Sequence, residues 1–287
     1  MSATLKACLW MIGAIASFSS MAVAGRELST SLDTFEIMMY RSMFGLVIVT
    51  GVALAVGTLG QVNTRDFRLQ TVRNLAHFTG QNLWFYAVTV IPLAQVFALE
   101  FTSPLWVIIL SPLVLGEKLT LMRGAAAILG FIGILIVARP DMAGINAGVI
   151  TAASSAIFFA LTIMFTKKLT RTQSIICILF WLTAMQLVFG VIAAGYDGDI
   201  AVPDSGALPL VLLIGAAGLM AHFCMTSALS LAPATVIVPV DFIRLPTIAV
   251  VGMLLYQEPL EIQVFVGAAI IFAGNYLNLW SETRKKS

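Results

Sequence analysis

This chain is poor in charge and in polar stretches between its apolar runs. Only 10% of its 287 residues are charged, against 60% hydrophobic. With a mean hydropathy of +0.99, polar surface is too scarce to clothe a water-soluble globule. Cysteine is scarce as well: Cys8, Cys177 and Cys224 stand singly within apolar runs with no CxxC pair, which argues against a disulfide framework and against a zinc site. The Walker loop, the dinucleotide glycine fingerprint, HExxH and the nucleophile elbow are missing, so the sequence points to no ATP-driven step, no catalytic residue, no metal and no cofactor. A net charge of +2 leaves no basic patch of useful size for nucleic acid.

What the chain does have is apolar runs of about 18 to 23 residues, the length an α-helix needs to cross about 30 Å of hydrocarbon and far beyond a barrel strand of about 10. They predict an all-α integral membrane protein of ten transmembrane helices, at roughly 5–24, 36–57, 70–89, 93–115, 122–138, 146–166, 174–194, 208–230, 234–256 and 263–280. The first run also imitates a secretory signal through Lys6 and the AVA-G at 22–25. Its length favours a helix that stays.

Lysine and arginine set the orientation. With the N-terminus cytoplasmic, the inside segments hold Lys6, Arg65, Arg68, Arg73, Lys118, Arg123, Lys167, Lys168, Arg171, Arg284, Lys285 and Lys286, and the outside loops only Arg26 and Arg139. The loop GYDGDIAVPDSG, with three Asp and no cation, falls outside. Both termini are therefore expected in the cytoplasm.

Shifted by 141 positions, the chain matches itself: Pro92 meets Pro233, Glu100 meets Asp241, Phe101 meets Phe242, Glu117 meets Glu258 and Gly133 meets Gly274. With a small gap, Ala76-His77-Phe78 meets Ala221-His222-Phe223. Two halves of five helices each, residues 1–141 and 142–287, must cross the membrane in opposite senses because five is odd. Such inverted repeats expose one central site alternately to the two sides.

The pattern ALEFTSPL...LVLGEKL....GAAAILGFIGILIVARP, repeated as VDFIRLPT...LLYQEPL....VGAAIIFAGNYL, resembles the paired EamA repeats of the drug/metabolite transporter superfamily, and most of all the YddG-like exporters of amino acids and related metabolites. The resemblance implies a basket of helices around a central cavity, with helices 1 to 4 and 6 to 9 building it and helices 5 and 10 bracing the periphery. It also implies export of amino acids, aromatic ones included, across a bacterial inner membrane, with protons as a candidate coupling ion. The alternatives are an importer of a cationic drug or nucleoside-like solute, and a membrane receptor or assembly factor that transports nothing. The partners expected are a small molecule and the lipid bilayer.

The candidate substrate-binding residues are His77, Gln81, Trp84, Glu100, Phe158, Asp241 and Arg244. Asn74, His77, Gln81 and Trp84 follow spacings of 3, 4 and 3 and share one face of the third helix. Such a stripe either lines a path or glues helices together, the duller reading suiting Asn74 best. Ser154, Ser155, Phe158, Phe159 and Thr162 on the sixth helix, and Trp10, Ser17 and Phe18 on the first, form weaker candidates. Asp241 and Arg244 are three apart and share a face. Pro104 and Pro246 free the carbonyls of Glu100 and Phe242, which at membrane depth need protein, water or a cavity beside them. Glu100 is costly at that depth. Either it is ionised and held by Arg41, at a similar outer depth, or it stands unpaired and takes up a proton or the substrate's amino group at different stages. Glu117 and Glu258, at the helix ends, are expected to satisfy neighbouring helix N-termini, and Gly130, Gly133, Gly267 and Gly274 to let helices approach closely.

Overall fold

The computed structural model describes residues 3–114, 116, 121–138, 146–169, 171–231, 241 and 243–284. Pro233, Glu117 and Phe242, which the internal repeat singled out, lie outside the described residues. These residues form α1 (Ala3–Leu28), α2 (Thr34–Ala55), a short 3-10 turn (Leu59–Gln61), α3 (Phe67–Val90), α4 (Leu93–Glu100), α5 (Ser103–Val114), α6 (Leu121–Ala138), α7 (Ala147–Leu169), α8 (Ile175–Ala194), α9 (Ala207–Leu231), α10 (Arg244–Tyr256) and α11 (Ile262–Arg284). No strand occurs among the described residues. Among the described residues, six stretches are long and apolar enough to cross a membrane: Leu5–Leu28, Thr34–Ala55, Leu93–Leu110, Ala147–Thr166, Ile175–Ala194 and Ala207–Met225. α3 has the length but not the composition, because Arg68, Gln70, Arg73, Asn74, His77, Gln81 and Asn82 interrupt it. All of these except Arg68 are buried, so the polarity points into the protein.

One predicted helix, at 93–115, is two. α4 ends at Glu100 and α5 begins at Ser103, because Pro104 has no N–H to offer the Glu100 carbonyl. Ser103 Oγ donates to that carbonyl instead, at 2.7 Å, and Asn275 Nδ2 of α11 donates to the Phe101 carbonyl at 3.0 Å. The break is thus satisfied by protein, as a membrane interior requires.

The largest packing pairs are α1 with α9, α3 with α7, α2 with α8, and α6 with α11, and α4 packs on α10. Exchanging the two halves turns the first of these pairs into the second and each of the others into itself, the pattern a two-fold relation between the halves gives. In lipid, helices associate through close packing and not through loss of water. Gly133 and Gly267 show how: a Cβ on either would stand 2.8 Å from the other's carbonyl oxygen. Gly80 likewise admits Phe158 and Phe159 of α7 against α3.

The two ends of the bundle are tied differently. At one end, Asp66 accepts from Gln173 Nε2 at 2.7 Å and from Thr172 Oγ1 at 2.6 Å, and Trp181 Nε1 donates to the Asn63 carbonyl at 2.8 Å. The bonds from Gln173 and Thr172 hold the Asp66 carboxyl below the usual carboxylate range. At the other end, Asp33 and Glu36 form a reciprocal capping box on α2, and Glu36 also accepts from the Ala201 amide. Glu36, buried in the structure, is therefore spent on a helix terminus and a loop.

Candidate functional site

α4 and α10 bring Glu100 and Arg244 together. Arg244 Nη2 donates to Glu100 Oε1 at 3.1 Å and to Asp241 Oδ2 at 3.3 Å. The sequence left Glu100 either paired with Arg41 or unpaired; the structure pairs it with Arg244. The reason is packing: α2 lies along α8 and α9, so Arg41 reaches Gln81 of α3 instead, with Nη1 donating to Oε1 at 2.6 Å.

Three aromatic rings enclose the Arg244 guanidinium, its carbon lying 4.8 Å from the ring centre of Phe18, 5.0 Å from Phe97 and 4.9 Å from Phe101. Each presents its face, with which a cation interacts favourably. Trp84 Nε1 donates to Glu100 Oε2 at 2.8 Å, and its indole packs against Phe85 and Phe97. Exposure separates the members: Arg244 is 4% exposed, whereas Glu100 and Asp241 are each 17%. The cation is enclosed and the carboxylates keep an open edge. With both carboxylates ionised the cluster carries one net negative charge.

A second polar cluster lies along the same face of α3. His77 stands 6.2 Å from His222 of α9 and 6.3 Å from Phe159 of α7, ring centre to ring centre. Among the described residues neither ring nitrogen of His77 has a hydrogen-bond partner. Asn74 donates to the Trp181 carbonyl at 3.1 Å, and Gln186 Nε2 donates to the Asn74 carbonyl at 2.9 Å, which is the gluing role expected of Asn74. Phe18 joins the clusters, since its ring lies 5.9 Å from His222 as well as under Arg244.

Of the seven residues proposed from sequence, the structure brings Trp84, Glu100, Asp241 and Arg244 into one cluster and puts His77 and Gln81 in the adjoining one. Phe158 packs on Gly80. Ser155 donates to its own helix at Ala152 and Trp10 packs on Phe223. Phe97 was missed. It lies one turn before Glu100 on α4, so the i, i+3 rule would have paired them; nothing in the sequence distinguished it from core phenylalanines.

A third assembly closes one end of the bundle. Arg26 of α1 pairs with Glu258 and donates to the carbonyls of Val88 and Ile91. Glu258 Oε2 accepts from the Leu93 amide, the first residue of α4, at 2.9 Å. This is the helix N-terminus that the sequence assigned to that glutamate. Gln257 makes the turn possible by taking a left-handed conformation, φ 55°. The Arg26 guanidinium lies 4.7 Å over the Tyr256 ring, and Tyr256 OH donates to Glu27 Oε1 at 2.9 Å.

Known proteins are similar to this chain along nearly its whole length. The chain is 25% identical to the S-adenosylmethionine uptake transporter of Rickettsia bellii over 97% of its own length and 94% of that protein's. It is 28% identical to the riboflavin transporter of Brucella anthropi over 92% and 95% of the two chains, and 26% identical to the riboflavin transporter of Vibrio cholerae over 98% and 95%. A solved crystal structure superimposes with a TM-score of 0.65 at 16% identity, over 98% of this chain and 99% of that one, a likeness of fold. The EamA-like transporter family matches twice, over residues 5–139 and 146–280, and the chain belongs to that family of membrane transporters.

Proposed function

We propose that this protein is a secondary transporter whose cargo is a small amphipathic molecule joining a cationic centre to a flat ring. The observation that carries this reading is the sharing of one enclosed guanidinium by two partly exposed carboxylates, Glu100 and Asp241. The excess negative charge takes the cargo's cation, and Phe18, Phe97 and Phe101 give the site an aromatic wall. S-adenosylmethionine, the cargo named for the Rickettsia relatives, carries a sulfonium, an amino-acid group and an adenine ring, and riboflavin, named for others, is a flat ring with a polar tail. These names favour uptake of a nucleoside-like solute over the amino acid export expected from the resemblance. Export of aromatic amino acids is the second reading, because the same two carboxylates accept an ammonium group.

The same proposal holds that ten crossings in two inverted five-helix repeats, 1–141 and 142–287, surround the site in a bacterial inner membrane. Both termini are cytoplasmic, and the Arg26–Glu258 end faces outward, as the Lys and Arg asymmetry requires. Glu100 and Asp241 are the groups through which protons would couple.

The experiment is flux into and out of proteoliposomes with labelled S-adenosylmethionine, riboflavin and phenylalanine, each with Glu100→Gln as control. Saturable uptake of S-adenosylmethionine that the variant loses is expected. Phenylalanine flux alone would move the assignment to the second reading, and specific binding without flux of any solute would make the protein a receptor. For topology, a reporter at the C-terminus is expected in the cytoplasm, and Ser205→Cys, at an exposed position, is expected to react with an impermeant reagent from outside.

A further inference from the structure

Two buried guanidinium groups lack an anion among the described residues. Arg41 and Arg73 are 7% and 4% exposed, and among the described residues both are held only by neutral partners. Arg41 donates to Gln81, and Arg73 to Thr166 Oγ1 at 3.0 Å and Asn74 Oδ1 at 2.7 Å. Neither forms an ion pair with a carboxylate among those residues. Arg41 lines one pocket with His222. A charged side chain at membrane depth is costly and ordinarily paired. Two such groups held by neutral partners among the described residues leave room for an anion from outside.

Arg41 has a place to receive one. A pocket between α2, α8 and α9 is lined by Arg41, Ser42, Thr183, Gln186, Gly218 and His222 among others. Arg41 Nε has no partner among the described residues. The Nε–Nη2 edge of the guanidinium turns toward Gly218, where an added Cβ would stand 2.9 Å from Nε and 2.8 Å from Nη2. That edge carries two parallel N–H groups, the fork that matches a carboxylate. The hydroxyls of Ser42 and Thr183 donate to their own helices at Met38 and Leu179 and can rotate toward an incoming acceptor. The cavity measures about 10 Å³, the room of a single water, so an end group enters it as the helices part, and a whole metabolite does not.

We propose that this pocket is an anion subsite in which the Arg41 fork takes a carboxylate, that of the cargo whose cationic end meets Glu100 and Asp241. The inference rests on the reading of that carboxylate pair as the cargo's site. Position supports the link: Gln81, the partner of Arg41, and Trp84, the partner of Glu100, are three residues apart on α3, which sets the two poles about one helical turn apart in height. The Phe18 ring, which touches both Arg244 and His222, lies between them.

The test is equilibrium binding to the purified protein, with labelled S-adenosylmethionine and its decarboxylated analogue, which keeps the sulfonium and the amine and lacks the carboxylate. The wild type is expected to prefer the acid by about tenfold or more, the scale of a charge-assisted fork. Arg41→Gln is expected to abolish that preference while leaving affinity for the analogue unchanged. Gly218→Ala, which keeps the charge and crowds the fork, serves if Arg41→Gln does not fold. A second arm reads thermal unfolding in sodium acetate and sodium chloride at ionic strength held with a bulky sulfonate. If neither nucleoside binds, the cargo reading has failed, while an Arg41-dependent rise in Tm with acetate or chloride still supports an anion site, filled then by a free ion. Equal loss of acid and analogue in both variants, or no anion effect that depends on Arg41 in either arm, overturns the subsite.

Discussion

Glu100 and Asp241, 141 positions apart in the chain, accept from the same atom, Nη2 of Arg244, at 3.1 and 3.3 Å. They are also the positions that coincide when the sequence is laid on itself. His77 and His222, matched by the same comparison with a small gap, stand 6.2 Å apart. Residues that a duplication makes equivalent meet across a two-fold axis only if they lie near it. Both polar clusters are therefore close to the centre of the bundle, where a site for alternating access belongs.

The two carboxylates and one guanidinium respond unequally to neutralisation. Glu100→Gln leaves the Arg244–Asp241 pair intact and still gives Trp84 an acceptor, so its cost is about 1 kcal/mol, that of a weakened hydrogen bond. Arg244→Gln leaves two carboxylates facing each other without a cation, at about 3 to 5 kcal/mol. Thermal unfolding of the purified variants is expected to rank Arg244→Gln well below Glu100→Gln, with the double variant regaining part of the loss. Equal losses in the two single variants would show that the ion pair does not hold this centre together.

Trp84 acts on Glu100 through its indole N–H, and its ring is 3% exposed. Trp84→Phe keeps most of the packing against Phe85 and Phe97 and deletes one hydrogen bond to a charged acceptor, about 1.5 to 3 kcal/mol. The expected result is a shifted pH profile of flux with nearly normal protein yield, since a carboxylate that loses a donor becomes easier to protonate. If size-selective loss of bulky solutes appears instead, the indole is a contact surface for cargo in another conformation.

The sequence carried much of this. Six of the ten expected spans recur among the described residues as stretches of membrane length and composition, because runs of apolar residues at that length have few other meanings, and the freed carbonyl at Pro104 was legible because a missing N–H is a local fact. The pairing of Glu100 was not legible: Arg41 and Arg244 are both single arginines in apolar helices, and only the packing of α2 on α8 and α4 on α10 decides between them. The aromatic cage was equally hidden, since Phe97 and Phe101 are two of 18 phenylalanines and acquire a role only from the guanidinium beside them.

Gly133 and Gly267 let α6 and α11 touch backbone to backbone. Gly267→Val would force the helices apart, an overpacking cost of about 1 to 3 kcal/mol. Lower yield and Tm are expected, with unchanged selectivity among the solutes that are carried, because the nearest atoms to a Cβ at either glycine belong to α6 and α11 themselves and to no residue of the polar clusters. A change of selectivity at normal stability would place the pair nearer the path than its packing indicates.

The Arg26–Glu258 assembly ties the end of α1 to the ends of α3 and α10 and the start of α4, so it latches one mouth of the bundle shut in this conformation. Glu258→Gln removes the charge of the pair but keeps an acceptor for the Leu93 amide. The latch is thereby weakened while the helix N-terminus stays capped. In a background lacking Cys8, Cys177 and Cys224, Ala94→Cys, at a position 8% exposed and next to Leu93, whose amide donates to Glu258, reports the opening. With Glu258→Gln added, its reaction with an impermeant thiol reagent from outside is expected to speed up several-fold, and Arg26→Gln is expected to do the same. Faster labelling only from the cytoplasmic side would reverse the orientation inferred from the Lys and Arg count. Unchanged labelling from both sides would make the pair a fixed strut, and the mouth would have to open by a movement that leaves α1, α4 and α10 joined.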